Sequence, residues 1–367
     1  MSSISTSDIP KNVRPRLPLL AIGMVSMAYG TWLGLVRLGW NLPLPSPDRL
    51  IDHGPLMVCA FLGTLISLER AVALGAPWGY AAPAAVAAGG LTLIAGAPLP
   101  LPPALITLGS GILVAIYVAV WLRQPSLFVA TMGVGAAMWL GGNIRWLTGA
   151  AILRVVFWWM AFLVLTIAGE RLELNRVLRP TRLVRATFVL SISAIVAGVV
   201  VTLRWPDTGV RLVGAGLIAL AIWLFRNDVA RRTVRQNGLT RFIAVCLLAG
   251  YGWMIVGGII AIGSGVSTTG PVYDAVLHSV FLGFVMSMVF GHAPIIFPAI
   301  VGTPVPYRPV FFLHVGLLHV SVLLRVIGDL VEVLGRWRVW GGLLNALTLL
   351  LFVFSTVRAV ASGRRPV

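Results

Sequence analysis

Long runs of apolar residues, separated by short polar or Pro/Gly-rich segments, fill most of the chain. A helix needs about 20 apolar residues to cross roughly 30 Å of hydrocarbon. Twelve runs reach or approach this length, and we predict a transmembrane helix in each. The runs are Leu17–Leu38, His53–Leu74, Ala81–Ala97, Leu101–Leu122, Ser126–Leu147, Ala151–Ala168, Leu183–Leu203, Val210–Phe225, Leu239–Ile262, Val272–Pro298, Val310–Leu330 and Val339–Val357.

These runs predict an all-α integral membrane protein with a single twelve-helix domain over residues 17–357. Residues 1–16 and 358–367 are left as short tails at its two ends. The first tail is polar and basic, and it lacks the short apolar core and small-residue cleavage site of a secretory signal. We expect both tails to be cytoplasmic.

The distribution of Lys and Arg predicts the orientation, because positively charged loops resist translocation. With the N-terminus inside, 19 of the 28 Lys and Arg residues fall on the inner side and 9 on the outer side. This imbalance favours two cytoplasmic ends and an even number of spans.

Composition excludes a water-soluble protein. Hydrophobic residues make up 58% of the chain and charged residues 11%, whereas soluble domains carry about 25% charged residues. The net charge of +17 would suggest nucleic-acid binding in a soluble protein, but here it belongs to inner loops, so we expect no nucleic-acid partner. The predicted environment is the lipid bilayer of a bacterial-type inner membrane. Cys59 and Cys246 lie in apolar runs without a metal or redox spacing.

One internal echo suggests a repeat. The second run contains AFLGTLISLER from Ala60 to Arg70, and the sixth contains AFLVLTIAGER from Ala161 to Arg171. The offset is four helices, which would divide twelve helices into three similar groups of four arranged in a ring. Apolar helices also match by chance, and both readings stay open.

All five histidines lie in or beside predicted membrane helices: His53, His278, His292, His314 and His319. Ionisable residues inside a membrane are costly and most often functional. His53 begins the second helix and His278 lies early in the tenth, and both helices enter from the outer side. Their depths agree within about 8 Å. Two imidazoles at one depth suit a haem with two axial histidines, although each could instead be a packing or interfacial residue.

On the inner side, His292 lies near the end of the tenth helix and His314 about five residues into the eleventh. A Pro-rich turn joins these helices, so the two imidazoles could share a second haem or a copper ion. His319 lies about 140° around the helix from His314, and it could be a third copper ligand only if a helix is distorted; otherwise one of the three packs in the bundle. His278 and His292 are predicted to lie about 40° apart on one face and about 21 Å apart along the helix.

Few carboxylates accompany these histidines. Glu69 and Glu170 are each followed by arginine, and we interpret these pairs as anchoring ion pairs, with a proton entry route as the alternative. Asp329, four residues after Arg325, forms a similar predicted pair. Asp52 and Asp274 flank His53 and His278 and are candidate acceptors of a ring N–H.

At the residue level, three segments resemble the NnrS family of twelve-helix haem- and copper-containing membrane proteins of nitric oxide metabolism. They are HGPLMVCAFLG from His53, LHSVFLGFVMSMVFGHAPIIFPA from Leu277 and LHVSVLLRVIGD from Leu318. More distantly, the chain is similar to subunit I of haem-copper oxidases and nitric oxide reductases. The resemblance implies a low-spin haem b held by His53 and His278. The oxidases also place copper ligands on helices six and seven, where this chain has no histidine, so oxygen reduction is not expected.

The leading hypothesis is therefore a haem-binding, and in a weaker form copper-binding, electron-transfer protein with a redox partner, linked to nitric oxide metabolism or respiratory redox stress. The alternative is a proton-coupled transporter that uses intramembrane His and Glu residues. A non-catalytic scaffold is a third class.

Overall fold

The described part of the chain contains twelve helices long and apolar enough to span a membrane, as predicted. The computed structural model describes residues 16–363 apart from 45, 179–180 and 267–268, and all regular structure in this part of the chain is helical. The predicted N-terminal tail lies outside the described residues except for Arg16, which begins the first helix. The helices are α1 Arg16–Arg37, α2 Pro55–Leu74, α3 Pro77–Ala95, α4 Leu101–Arg123, α5 Leu127–Leu147, α6 Ile152–Leu174, α7 Arg182–Val201, α8 Pro206–Asn227, α9 Gly238–Ser264, α10 Pro271–Val301, α11 Phe311–Leu330 and α12 Glu332–Ser362.

The largest boundary error concerns α12. The predicted span is Val339–Val357, whereas the helix in the structure covers Glu332–Ser362. The first residues of the predicted C-terminal tail are therefore helical. Arg336 and Arg338 lie in the first turns of α12, and these charged residues interrupt the apolar run from which the helix was predicted. Long basic side chains can nevertheless extend from a helix end towards the headgroups.

Three helices occupy the centre of the bundle. Consecutive helices pack against one another around the molecule, and α12 returns to contact α1. The most apolar stretches of α2, α6 and α10 are buried to 61%, 89% and 67% respectively, and α10 contacts both α2 and α6. These helices recur at every fourth position, in agreement with the four-helix spacing of the sequence echo.

Polar and aromatic contacts join α2, α5 and α6. The Trp159 indole donates to the Asn143 side-chain oxygen at 2.9 Å, and the Trp139 indole donates to the Cys59 sulfur at 3.4 Å. Trp139 also stacks on Phe162 with ring centres 4.6 Å apart. Both described cysteines are free and buried, and Cys59 serves here as a packing residue.

Two central helices contain π-helical segments. One covers Pro55–Gly63 at the start of α2, and the other covers Ser279–Met286 within α10. Each segment begins within two residues of a histidine, His53 in the first case and His278 in the second. Such wider turns are rare and are frequently found at functional sites.

Candidate cofactor site

His53 and His278 face each other across a cavity. We call the side of the bundle where α2 begins the His53 side, and the side where α2 ends the Glu69 side. The two imidazole ring centres lie 6.4 Å apart with 26° between the ring planes. An iron between two imidazoles, with metal–nitrogen bonds of about 2 Å, would place the ring centres about 6 Å apart. The spacing therefore fits one haem iron between the rings.

Backbone carbonyls hold both rings in one tautomer. The His53 Nδ1–H donates to the Gly30 carbonyl at 2.7 Å, and the His278 Nδ1–H donates to the Asp274 carbonyl at 2.8 Å. Since Nδ1 carries the proton, each Nε2 keeps its lone pair for a metal. A ligating histidine usually has this kind of outer hydrogen bond, which raises its basicity.

The flanking carboxylates do not take the predicted role. Asp52 forms an ion pair with Arg49 at 3.4 Å. Burial raises the pKa of Asp52 to about 6, against the opposing effect of the nearby Arg49 charge. Asp274 orients His278 through its backbone carbonyl, while its carboxylate lies 3.4 Å from Arg325. Local helix geometry explains the difference, because the carbonyl four residues before His278 already lies beneath its ring.

Glycines of α1 make room for the His53 ring. A Cβ atom on Gly34 would lie 2.9 Å from His53 Cε1, and one on Gly30 would lie 3.0 Å from the Met57 sulfur. Neither residue was predicted from the sequence. Their spacing of four places them on one helix face, which is the signal that could have revealed them.

The cavity has a volume of about 290 Å³, close to the lower limit of about 300 Å³ for ligand pockets. Its apolar wall comes from helices α2, α6, α10 and α12. Representative lining residues are Met57, Val58, Val156, Phe281, Leu282 and Leu349. Such a wall suits a flat apolar macrocycle.

Three arginines line the charged end of this cavity: Arg37, Arg325 and Arg338. Arg325 Nε is buried and has no hydrogen-bond partner among the described residues, although its Nη2 lies near Asp274. Arg338 Nε lies 3.8 Å from Asp329 and makes no hydrogen bond within the described part of the chain. Unused N–H donors beside the cavity fit the carboxylates of a haem. The histidines and the apolar wall suit its iron and macrocycle, and the arginines suit its carboxylates.

The predicted ion pair of Arg325 with Asp329 is not formed, although the two charges interact at longer range. Arg325 reaches across to Asp274 on α10, and Asp329 instead faces Arg338 on α12. Contacts between helices therefore replace the pairing four residues apart along α11.

On the Glu69 side, the three remaining histidines have separate surroundings. His292 donates from Nδ1 to the Met288 carbonyl at 2.9 Å. The rings around His314 belong to phenylalanines, and its Nδ1 lies 3.3 Å from the Ser355 hydroxyl. His319 accepts from the Trp253 indole at 3.1 Å.

The predicted three-histidine copper site is not assembled. Within the described residues, no group of three or more His, Cys, Asp or Glu side chains is placed to hold a metal ion. Aromatic packing accounts for His314, and the Trp253 contact occupies one nitrogen of His319. We retain neither these residues nor His292 as metal ligands.

Of the two predicted glutamate–arginine pairs on this side, Glu69 with Arg70 is formed and Glu170 with Arg171 is not. Arg70 Nη2 donates to Glu69 at 2.7 Å and to Glu170 at 2.8 Å, so one guanidinium joins α2 to α6. Arg171 does not pair with Glu170; it makes two 2.7 Å bonds to Asp228. Asp228 lies after α8 in the chain and could not be matched to Arg171 from sequence spacing.

Together, the fold and the cavity define a polytopic α-helical membrane protein with a two-histidine site in one half of its bundle. The chain belongs to the family described as a domain of unknown function (DUF8744), whose model matches residues 16–361. The match includes every residue of the cavity. No curated protein matches the sequence.

Proposed function

We propose that the protein binds one haem b between His53 and His278 and transfers electrons within a bacterial-type inner membrane. The observation that carries the proposal is the pair of imidazoles with ring centres 6.4 Å apart, each with Nδ1 bonded to a carbonyl and both lining one cavity. That arrangement would leave each Nε2 lone pair available to bind a haem iron in a fixed tautomer.

Each part of the cavity would have a definite task. His53 and His278 would bind the iron, and the apolar wall would exclude water from the macrocycle. Arg37, Arg325 and Arg338 would pair with the two carboxylates, since arginine binds carboxylates through several N–H donors. A bound haem would supply a reversible one-electron couple.

Two histidine ligands would favour electron transfer over gas binding, because His53 and His278 together would leave a bound iron no open position for a small molecule. The proposed link to nitric oxide metabolism or respiratory redox stress thus rests on the NnrS resemblance, and in it the protein exchanges electrons with a redox partner. We do not extend the proposal to copper, because no group of three or more His, Cys, Asp or Glu side chains among the described residues is placed to hold a metal ion.

The visible spectrum of the detergent-purified protein tests this function. We expect a Soret peak with sharp reduced α and β bands, and about one haem b per chain by pyridine haemochrome assay. Protein that is folded after expression with added haem precursor, yet shows no Soret peak, would contradict the proposal.

A substitution at Gly34 should weaken haem binding. Gly34→Ala places a Cβ against the His53 ring, and overpacking of about 1–3 kcal/mol would lower haem affinity roughly 5-fold to 100-fold. Titration of haem into the apo protein measures this. Gly316→Ala is the matched control, because a Cβ there meets no described atom within 4 Å. Equal affinities in the two variants would mean that Gly34 does not position the ring.

The proposed orientation places both termini in the cytoplasm, with the His53 side outside. A cytoplasmic reporter fused after Arg365 should be active, and alkaline phosphatase at the same place should be inactive, because inner loops hold 19 of the 28 basic residues. A fusion after Trp205, between α7 and α8, should give the opposite pair of results. Reversal at both positions would overturn the orientation.

Proton-coupled transport is the second candidate function. It is favoured by Glu69, Glu170 and the nearby His292, which the three central helices bring together on one side. A transporter of this kind would need no haem, so purification of a folded, colourless protein would favour it.

A further inference from the structure

The Glu69 side of the bundle carries a polar cluster that the haem proposal does not use. Each central helix contributes one member: Glu69 from α2, Glu170 from α6 and His292 from α10. Arg70 joins the two glutamates through a single Nη2 atom. His292 interacts electrostatically with Glu69, so the three side chains belong to one electrostatic unit.

Charge counting shows an imbalance in this cluster. Arg171 and Asp228 neutralise each other through two 2.7 Å bonds. Among the described residues, Arg70 is then the single cation that bonds to the two glutamates, which leaves one negative charge in excess if both carboxylates are ionised. An unbalanced charge at a largely buried position is costly, and groups in this position normally neutralise by binding a proton.

Unpartnered polar atoms mark where that proton can be accommodated. Tyr117 is 3% exposed, and its hydroxyl has no hydrogen-bond partner among the described residues although it interacts electrostatically with Arg70 and both glutamates. His292 Nε2 is likewise buried without a described partner. Since His292 Nδ1 already donates to a carbonyl, Nε2 has a lone pair that can accept a proton.

The cluster also has an opening. The side chains of Glu69 and Glu170 keep 24% and 17% of their surface exposed. Proton exchange with the Glu69 side therefore needs no rearrangement of the central helices. The charged or titratable groups surrounding the two glutamates are Arg70, Tyr117, Arg171, Glu173, Asp228, Tyr251 and His292.

We propose that this cluster is a proton-binding site that holds one exchangeable proton, shared between Glu69, Glu170 and His292. The proton is taken from the Glu69 side, and binding it forms one O–H or N–H bond and cancels the excess negative charge. The site needs no haem, so it stands independently of the cofactor proposed on the His53 side.

If the proton is shared, the number of protons bound should change in a distinctive way when the glutamates are substituted. Glu69→Gln or Glu170→Gln removes the excess charge, so the remaining glutamate stays ionised beside Arg70. Each single variant, and the double variant, should bind one proton fewer than the original protein. Two independent carboxyl groups would instead lose one proton in each single variant and two in the double variant.

Potentiometric titration of the detergent-solubilised protein from about pH 5 to about pH 9 counts these protons. Glu332→Gln is the matched control, because Glu332 begins α12 on the His53 side and its side chain is exposed. That control should bind as many protons as the original protein. Because glutamine has nearly the shape of glutamate, and because circular dichroism verifies folding, a lost proton can be assigned to the site.

Infrared spectroscopy locates the proton. His292→Gln leaves the excess charge in place, so the count should stay the same while the carboxylic acid C=O band grows. Equal proton counts in the original protein and Glu69→Gln, or a loss of two protons in the double variant, would overturn the shared site.

Discussion

His53→Ala and His278→Ala should each remove the reduced α band and lower bound haem to roughly a tenth or less of its original level. The reason is that each substitution deletes one of two axial ligands, and a ligand lost at a metal site typically costs far more than the 10-fold to 100-fold of an outer contact. Haem per chain and the reduced-minus-oxidised spectrum measure the effect.

His319→Ala is the control for general damage to the bundle. It deletes the Trp253 contact on α9 without touching the cavity, and its spectrum should remain unchanged. Imidazole added to His278→Gly should restore the low-spin bands, because the free ring can occupy the vacated space. An α band that is undiminished in both alanine variants would eliminate this ligand pair.

Asp228→Ala should be among the most destabilising single substitutions in the protein. Arg171 is 3% exposed and depends on the Asp228 carboxylate, which also accepts from the Tyr251 hydroxyl and the Ala230 amide at 2.7 Å. Removing one partner of such a buried pair leaves an uncompensated charge and costs about 3–5 kcal/mol. Unfolding by sodium dodecyl sulfate in mixed micelles measures the change.

Asp207→Ala provides the comparison for that experiment. Its ion pair with Arg211 has a similar distance of 2.8 Å but is exposed, so its loss should change the unfolding midpoint little. Equal shifts for Asp207→Ala and Asp228→Ala would show that burial of the Arg171 pair contributes nothing.

Helix number and the depth of His53 and His278 followed from the sequence because both depend on distance along the membrane normal. Each apolar run must span about 30 Å, and the rise per residue fixes the depth of a side chain. Those two quantities require no knowledge of which helices are neighbours.

Rotation around a helix axis was not predictable in the same way. The estimate that His278 and His292 share one face assumed a regular α-helix, yet the π-helical segment Ser279–Met286 lies between them. A π turn contains more residues than an α turn, so the angular offset between the two histidines changes. The partners of Arg171 and Arg325 could not be predicted for a related reason. Asp228 and Asp274 lie on other parts of the chain, and sequence spacing does not show which helices are neighbours.

The closed arrangement of the helices also separates the proposed sites from the lipid. With 89% of its most apolar stretch buried, α6 is shielded along nearly its whole length, whereas the corresponding stretches of α4 and α7 are buried to 33%. Variations in bilayer thickness are accommodated by tilting and by local adjustment of helices that touch lipid. The outer helices should therefore adjust to bilayer thickness while the buried central helices keep their positions. The distance between His53 and His278 should be the same in membranes of different thickness.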